Sequence, residues 1–183
     1  MLHRRLSGLQ AGLARSCLQA GDNNFKLVAN IPYNITSQLL ERFLTTPPRP
    51  SRMVLMVQKE VADRITASPP NMSLLSVVCQ LYAKCKRIAV VKAGAFRPIP
   101  KVDSAIVQLD VYHPKHPLLN KLDPEQVIAV AKRGFVSRRK QLKSNLGPSV
   151  VSILESLNID QKVRAESLTV ENWIQIRRKS LTV

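Results

Sequence analysis

Residues 25–40, FKLVANIPYNITSQLL, decide how the chain is organised. The run at 25–29 is apolar apart from one lysine, which is typical of a short buried strand, and apolar side chains recur at helical spacing over 37–45. Asn30, Ile31, Pro32 and Tyr33 lie between the two. A plain strand-to-helix turn needs only a Gly or an Asx residue. An amide, a rigid proline and an aromatic ring in succession therefore indicate a turn with a further role.

Short apolar strands and helices continue to alternate after this turn. Apolar runs at 53–57 and 87–91 predict buried strands, and residues 103–112 alternate apolar and polar side chains as a half-buried strand does. Residues 58–67 predict a helix, and residues 74–85, which fit either a helix or a strand, are interpreted as a second helix. Strands separated by helices predict an α/β sheet with helices packed against it. Because the last two strands lack a crossover helix between them, we expect them to be antiparallel neighbours.

The pattern changes after residue 112. Asp123 and Pro124 predict a helix start, and one apolar face then runs to Gly147, where the helix is expected to end. Two shorter helices are predicted at 149–157 and 170–178. We therefore expect an α/β unit over residues 1–112 and a small all-α domain over residues 113–183.

The charge of the chain is strongly positive. Its 183 residues carry a formal net charge of +16. An excess of this size is typical of proteins that bind a polyanion, either nucleic acid or an anionic membrane, although a solvated basic surface is the plainer alternative. No segment has the roughly eighteen unbroken apolar residues of a membrane span, so nucleic acid is favoured.

Six cations of the predicted long helix are candidates for phosphate binding, because no carboxylate lies among them to relieve their repulsion. We expect them to cover the helix side opposite its apolar face. They are Lys132, Arg133, Arg138, Arg139, Lys140 and Lys143.

Cysteine usage and the N-terminal segment bear on location. Three cysteines without a CxxC pair and only three histidines predict a reducing compartment, the cytoplasm, and no metal site. Residues 1–21 contain no acidic residue and place leucines at helical spacing. This pattern predicts an amphipathic surface helix; a mitochondrial transit peptide is the alternative.

The turn at Asn30–Tyr33 suits one particular chemistry. The lone pair of an exocyclic amine on a base is delocalised into the ring, so the nitrogen is a poor nucleophile. An Asn oxygen and a nearby carbonyl that accept the amine protons favour a more tetrahedral nitrogen, while Tyr33 stacks on the base. Extruding the base costs a few kcal/mol, and stacking returns about 1–3 kcal/mol. On these four residues alone, a helix-entry turn with a partly buried tyrosine is an equal alternative.

The segment NIPYNITSQLLERFL, residues 30–44, resembles the Asn-Leu-Pro-Tyr-Asn motif of the ribosomal RNA adenine dimethyltransferases. These are S-adenosylmethionine-dependent enzymes of the small ribosomal subunit, related to the erythromycin-resistance methylases. The likeness continues in order through MVQKEVADRI (56–65), LLSVVCQLY (74–82), AFRPIPKVDSAIVQL (95–109), GFVSRRKQLKSNLG (134–147) and IDQKVRAESLTVENW (159–173).

The resemblance implies roles for individual residues. Asn30 and the Pro32 carbonyl would face the target amine, and Asn30 would also contact the cofactor. Tyr33 would stack on one face of the adenine and Phe96 on the other; an anchor for the core of a hairpin is the alternative for Phe96, and the resemblance favours stacking over it. The three residues Lys101, Asp103 and Ser104 would be structural or RNA-facing parts of the Phe96 loop.

The resemblance also implies a glycine-rich strand, loop and helix that hold the methyl donor, yet residues 1–24 contain no Glu-x-Gly-x-Gly-x-Gly. We therefore expect the C-terminal half of a Rossmann-like methyltransferase sheet followed by the all-α domain. The implied activity is S-adenosylmethionine-dependent methylation of adenine amines in small-subunit ribosomal RNA, by a monomer that binds the pre-small subunit. The alternative is a non-catalytic rRNA-binding or ribosome-assembly module. A mitochondrial relative of the family is a third possibility.

Overall fold

The structure, a computed structural model, describes residues 25–113, 116 and 123–180. Within them the strands are β1 (Lys26–Asn30), β2 (Arg52–Gln58), β3 (Ala83–Val91) and β4 (Ser104–Val111). The helices of the α/β part are α1 (Thr36–Thr45), α2 (Lys59–Ile65) and α3 (Leu74–Tyr82). Those of the C-terminal part are α4 (Pro124–Gly134), α5 (Leu142–Leu146), α6 (Val150–Ser156) and α7 (Val170–Lys179). Single 3₁₀ turns form at Tyr33–Ile35, Ala93–Ala95 and Ala165–Ser167.

The strands form one mixed sheet in the order β1-β2-β4-β3. Strand β1 is parallel to β2, while β4 runs antiparallel to both β2 and β3. The predicted α/β class and the predicted antiparallel pairing of the last two strands are confirmed. The carboxyl ends of β1, β2 and β3 consequently share one edge of the sheet with the amino end of β4.

The core of the α/β part lies on one face of the sheet. Alternate residues of β2 and β4 point to that face and are fully buried, as the two-residue period of a strand requires. Helix α2 packs against β2, β3 and β4, and helix α3 packs against β3. The buried strand residues are Met53, Leu55, Val57, Ala105, Val107 and Leu109.

The boundary between α3 and β3 differs from the prediction. The helix expected over 74–85 ends at Tyr82, and β3 begins at Ala83 rather than at residue 87. The reason is the sheet: Ala83 pairs with Val111 and Cys85 with Leu109, so these backbone groups belong to the β3–β4 ladder. The local period agrees, since the lysines at 84 and 86 are exposed while Ala83 is buried.

The C-terminal helices pack around Trp173, whose side chain is fully buried. Helix α4 contacts α7 and also α3, so the two parts of the chain touch through α3. The division at residues 112 and 113 stays a prediction.

The long helix expected through residue 146 is broken. Helix α4 ends at Gly134, and α5 begins only at Leu142. The Asn145 side-chain amide donates to the carbonyl oxygens of Gly134 (2.6 Å) and Ser137 (3.2 Å) and so satisfies the end of α4. The prediction of a single helical face for the six cations is therefore wrong.

The predicted amphipathic helix at 1–21 lies outside the described residues. Among the helices that the structure describes, none is long and apolar enough to cross a bilayer.

Gly134 provides a test of this packing. A Cβ at this position would lie 2.3 Å from Cη2 of Trp173 and 3.2 Å from Cδ1 of Leu142, so Gly134→Ala forces the indole to shift. We expect a loss of about 1–3 kcal/mol in the free energy of unfolding, measured by urea titration. Gly94→Ala is the matched control, because a Cβ there meets no atom within 4 Å. Equal stability of the two variants would contradict the packing described.

Candidate functional site

The carboxyl edge of the sheet collects the polar and aromatic residues singled out from the sequence. In open α/β sheets this edge is where ligands bind. The turn after β1, the turn after β3 and the beginning of β4 all lie along it, as the strand register requires.

Asn30 is the last residue of β1, and its side chain is exposed. Its Cα lies opposite that of Met56, and the N–H of Ile31 donates to the Met56 carbonyl at 3.2 Å. The side chain of Ile31 is buried. The backbone is thus fixed on both sides of the turn's first residue, while the Asn30 amide remains open to solvent.

The Pro32 carbonyl closes a 3₁₀ turn. It accepts the N–H of Ile35 at 3.1 Å. A carbonyl oxygen has two lone pairs, so a second acceptor position remains. Thr36 donates its hydroxyl to the Tyr33 carbonyl at 3.4 Å, which joins the turn to the start of α1.

Tyr33 is held at its tip and open along its ring. Its hydroxyl lies 2.9 Å from Oγ of Ser104, and the residue is 37% exposed. Ser104 itself is buried at the beginning of β4. The hydrogen bond therefore joins the turn after β1 to the centre of the sheet.

The turn that carries Phe96 is anchored by Asp103. The Asp103 carboxylate accepts Nζ of Lys92 at 2.9 Å and the N–H of Ala93 at 3.0 Å. The Phe96 N–H then donates to the Ala93 carbonyl at 3.2 Å, and the ring is half-buried. The Lys92 ammonium, followed by the Ala93 N–H, holds the pKa of the Asp103 carboxyl below its usual range.

These contacts bring Asn30, Pro32, Tyr33 and Phe96 to one edge of the sheet. The turns of Tyr33 and Phe96 are bound to consecutive residues, Ser104 and Asp103. Sequence reasoning left those two residues as general parts of a loop, because a contact between positions 33 and 104 has no local signal. The PKVDS run was the only hint, through its likeness to the family motif.

The six predicted phosphate-binding cations form a second feature, distributed over a helix end, a turn and a helix start. All are exposed, and within the part of the chain that the structure describes none makes a salt bridge. The turn between α4 and α5 lines an open concavity of about 620 Å³. Its lining residues are Val136, Ser137, Arg138, Arg139 and Lys140.

Neither a reactive thiol nor a metal-binding cluster is found among the described residues. Burial raises the pKa of the Cys79 thiol well above its usual range and that of Cys85 to about 12, so neither is a thiolate at neutral pH. Across residues 25–113, 116 and 123–180, no cluster of three His, Cys, Asp or Glu side chains has the arrangement of a metal site.

Comparison with known proteins identifies the chain. The family model described as ribosomal RNA adenine dimethylase matches residues 11–180. The chain belongs to the ribosomal RNA adenine dimethylase family. The "Ribosomal RNA small subunit methyltransferase A" of Nostoc punctiforme is 42% identical over 162 residues, which are 81% of this chain and 55% of that protein. The protein of the same name from Rippkaea orientalis is 43% identical over 171 residues, 86% of this chain and 61% of its own length.

Solved structures of the dimethylase fold agree with the architecture. A dimethyladenosine transferase from Plasmodium falciparum superposes with a TM-score of 0.74 at 23% identity, over 86% of this chain and 67% of that one. The 23S rRNA methyltransferase ErmE gives 0.67 at 23% identity, over 85% and 65%. The predicted class, part of a Rossmann-like methyltransferase sheet followed by helices, is confirmed at the level of the fold. The chain spans just over half the length of the curated dimethylase relatives it matches.

The Asp103 anchor predicts pH-dependent protection of the Phe96 turn. At neutral pH, Asp103→Ala should speed exchange of the Ala93 amide hydrogen about fivefold, because its acceptor is removed. A lowered folded-state pKa means that the interaction is complete above the ordinary carboxyl pKa and is lost as the pH falls through the folded-state value. The difference between variant and parent should therefore vanish in acid.

The control is Asp110→Ala, which removes a carboxylate of β4 that is paired with Arg52. It should leave Ala93 exchange unchanged at every pH. A pH-independent effect of Asp103→Ala would contradict the anchor.

Proposed function

We propose that this chain supplies the acceptor-base site for S-adenosylmethionine-dependent methylation of adenine exocyclic amines in small-subunit ribosomal RNA. One observation carries the proposal: the Asn30–Tyr33 turn ends a parallel strand at the ligand-binding edge, with its amide exposed and its tyrosine anchored. The family membership and the names of the relatives support it.

The chain's own groups act on the acceptor amine. The Asn30 side-chain oxygen and the free lone pair of the Pro32 carbonyl accept the two amine protons, which leaves the nitrogen lone pair less delocalised and more nucleophilic. The Tyr33 ring and the Phe96 ring stack on the adenine. Stacking of about 1–3 kcal/mol per base offsets the few kcal/mol needed to extrude it.

The cofactor would supply an electrophilic methyl group. Among the described residues, Asn30 is the one to which the family resemblance assigns a contact with the cofactor. The glycines there are Gly94, Gly134 and Gly147, and none lies in a strand-loop-helix that could cradle a methionine or nucleoside. The described part of the chain therefore fits the acceptor and the edge of the donor, not the whole of S-adenosylmethionine.

We propose that the turn between α4 and α5 contacts the RNA, and we call residues 136–140 the basic turn. Arg138, Arg139 and Lys140 lie exposed around a concavity with Val136, which is 76% exposed. Cations without carboxylate partners can bind RNA phosphates and displace the counterions condensed on the RNA. An exposed apolar side chain among them suits a sugar or base. We propose the pre-small ribosomal subunit as partner and a cytoplasmic monomer as the acting form.

A second candidate function is a non-catalytic rRNA-binding module for ribosome assembly. The exposed cations of the turn between α4 and α5 support it, because they would bind RNA whether or not a methyl donor is bound. Calorimetric titration with S-adenosylmethionine distinguishes the two for this chain: no binding at millimolar cofactor, together with intact RNA binding, would exclude catalysis by these 183 residues alone and support the second candidate.

Asn30 tests the catalytic proposal. With tritiated S-adenosylmethionine and small subunits that lack adenine methylation, Asn30→Ala should lower the methyl-transfer rate roughly a hundredfold, the scale of one missing transition-state hydrogen bond. RNA affinity should not change. Asn71→Ala, which removes an exposed amide in the loop between α2 and α3, is the control and should keep the parent rate. Equal rates for the two variants would remove Asn30 from the proposed mechanism.

The basic turn makes a separate prediction. Arg138→Gln, Arg139→Gln and Lys140→Gln combined should weaken binding to ribosomal RNA fragments of any sequence. They should also lower the slope of log affinity against log salt by roughly one for each phosphate that is no longer neutralised. Lys86→Gln removes an exposed charge from β3 and serves as the control, with an unchanged slope expected. An unchanged slope in the triple variant would place the RNA elsewhere.

A further inference from the structure

We propose that Asp103 and Ser104 are positioning residues that set the two aromatic walls of the acceptor-base site. Ser104 holds Tyr33, and Asp103 holds the turn of Phe96. This inference rests on the proposed function, because it concerns the geometry of the site that receives the adenine.

Ser104 provides a rigid support. It is 1% exposed, and its Cα has partners on both sides, Gln58 in β2 and Val91 in β3. Its Oγ therefore has a fixed position relative to the sheet. Tyr33, by contrast, is more than a third exposed. The hydrogen bond at its hydroxyl fixes where the tip of the ring lies, because packing alone does not enclose the side chain.

Asp103 accepts three hydrogen bonds that connect the turn of Phe96 to the rest of the sheet edge. Its main-chain carbonyl accepts the Lys59 N–H at 2.9 Å, which holds it against the start of α2. Its carboxylate accepts Lys92 and the Ala93 N–H. The 3₁₀ turn that follows sets the direction in which the chain reaches Phe96.

Two adjacent residues at the amino end of β4 are thus hydrogen-bonded to Tyr33 and to the turn that carries Phe96. A base that enters between pre-positioned rings does not have to order them, so more of the stacking free energy appears as affinity. The plain alternative is that the two residues only stabilise the sheet edge. The alternatives differ in one quantity: recognition of the base, as distinct from binding of the RNA backbone.

The experiment measures the affinity of the full chain for two ribosomal RNA hairpins that differ at one loop position, adenine in one and an abasic nucleotide in the other. The ratio of the two affinities reports stacking, because phosphate contacts cancel. Ser104→Ala and Tyr33→Phe should each lower this ratio about 3- to 10-fold, the range of one neutral hydrogen bond. The double variant should lower it no further, since both changes delete the same bond.

The Phe96 wall is tested in the same way. Asp103→Ala should lower the ratio and should add little to Phe96→Ala, whereas Asp110→Ala, on β4 itself, should leave it unchanged. If a residue only stabilised the sheet edge, its substitution would lower the urea midpoint of unfolding. In the folded protein it would leave the ratio of the affinities for the adenine and abasic hairpins unchanged.

Each outcome decides one of the two proposals. If the parent shows no preference for adenine over the abasic site, or if Tyr33→Ala keeps the preference, the proposed function fails. If Tyr33→Ala abolishes the preference while Tyr33→Phe retains it, the acceptor site stands and the positioning role of Ser104 is overturned. Tyr33→Phe removes a hydroxyl from a partly exposed side chain, so this arm holds even if Ser104→Ala does not fold.

Discussion

The hydrogen bonding of β4 to a strand on each side is the constraint on which the rest of the structure depends. The pairing brings the amino end of β4 to the edge where the other three strands terminate, and Ala105, Val107 and Leu109 are fully buried on the face that the helices cover. Ser104 and Asp103 lie at that end. The two turns bearing aromatic rings are bound to a strand that cannot shift without breaking two ladders, which makes the edge stiffer than its exposure suggests.

Much of this arrangement could be predicted from local pattern. The apolar runs located β1 and β2, and the alternation over residues 103–112 located β4. The unusual composition of the turn after β1 singled out Asn30 to Tyr33 before any fold was known. The start of β3 was missed because a short apolar run fits either period, and pairing with β4 decided it. The break after α4 was missed for a related reason. It depends on Gly134 against Trp173 and on the Asn145 amide, and neither interaction has a local signal.

The sheet edge at Asn30–Tyr33 and the turn between α4 and α5 lie in different parts of the fold and differ in the forces that they offer a ligand. In the proposed function the sheet edge would recognise one base through short hydrogen bonds and ring contacts, which are directional and little affected by salt. The turn between α4 and α5 would bind phosphate through charge, which is long-ranged and indifferent to sequence. Helix α3 contacts α4, so the two features belong to one packed body rather than to a flexible tether. If the turn binds RNA as proposed, that RNA would present its bases to the edge within a limited range of orientations.

The Asn145 amide determines how the shape of the basic turn depends on salt. Arg138, Arg139 and Lys140 repel one another, yet the turn is closed by a neutral side chain that donates to the Gly134 and Ser137 carbonyls, not by counter-charges. Hydrogen bonds between uncharged groups are hardly screened by dissolved ions. The turn thus keeps the same contour in dilute and in concentrated salt, and ionic strength changes only the strength of its field.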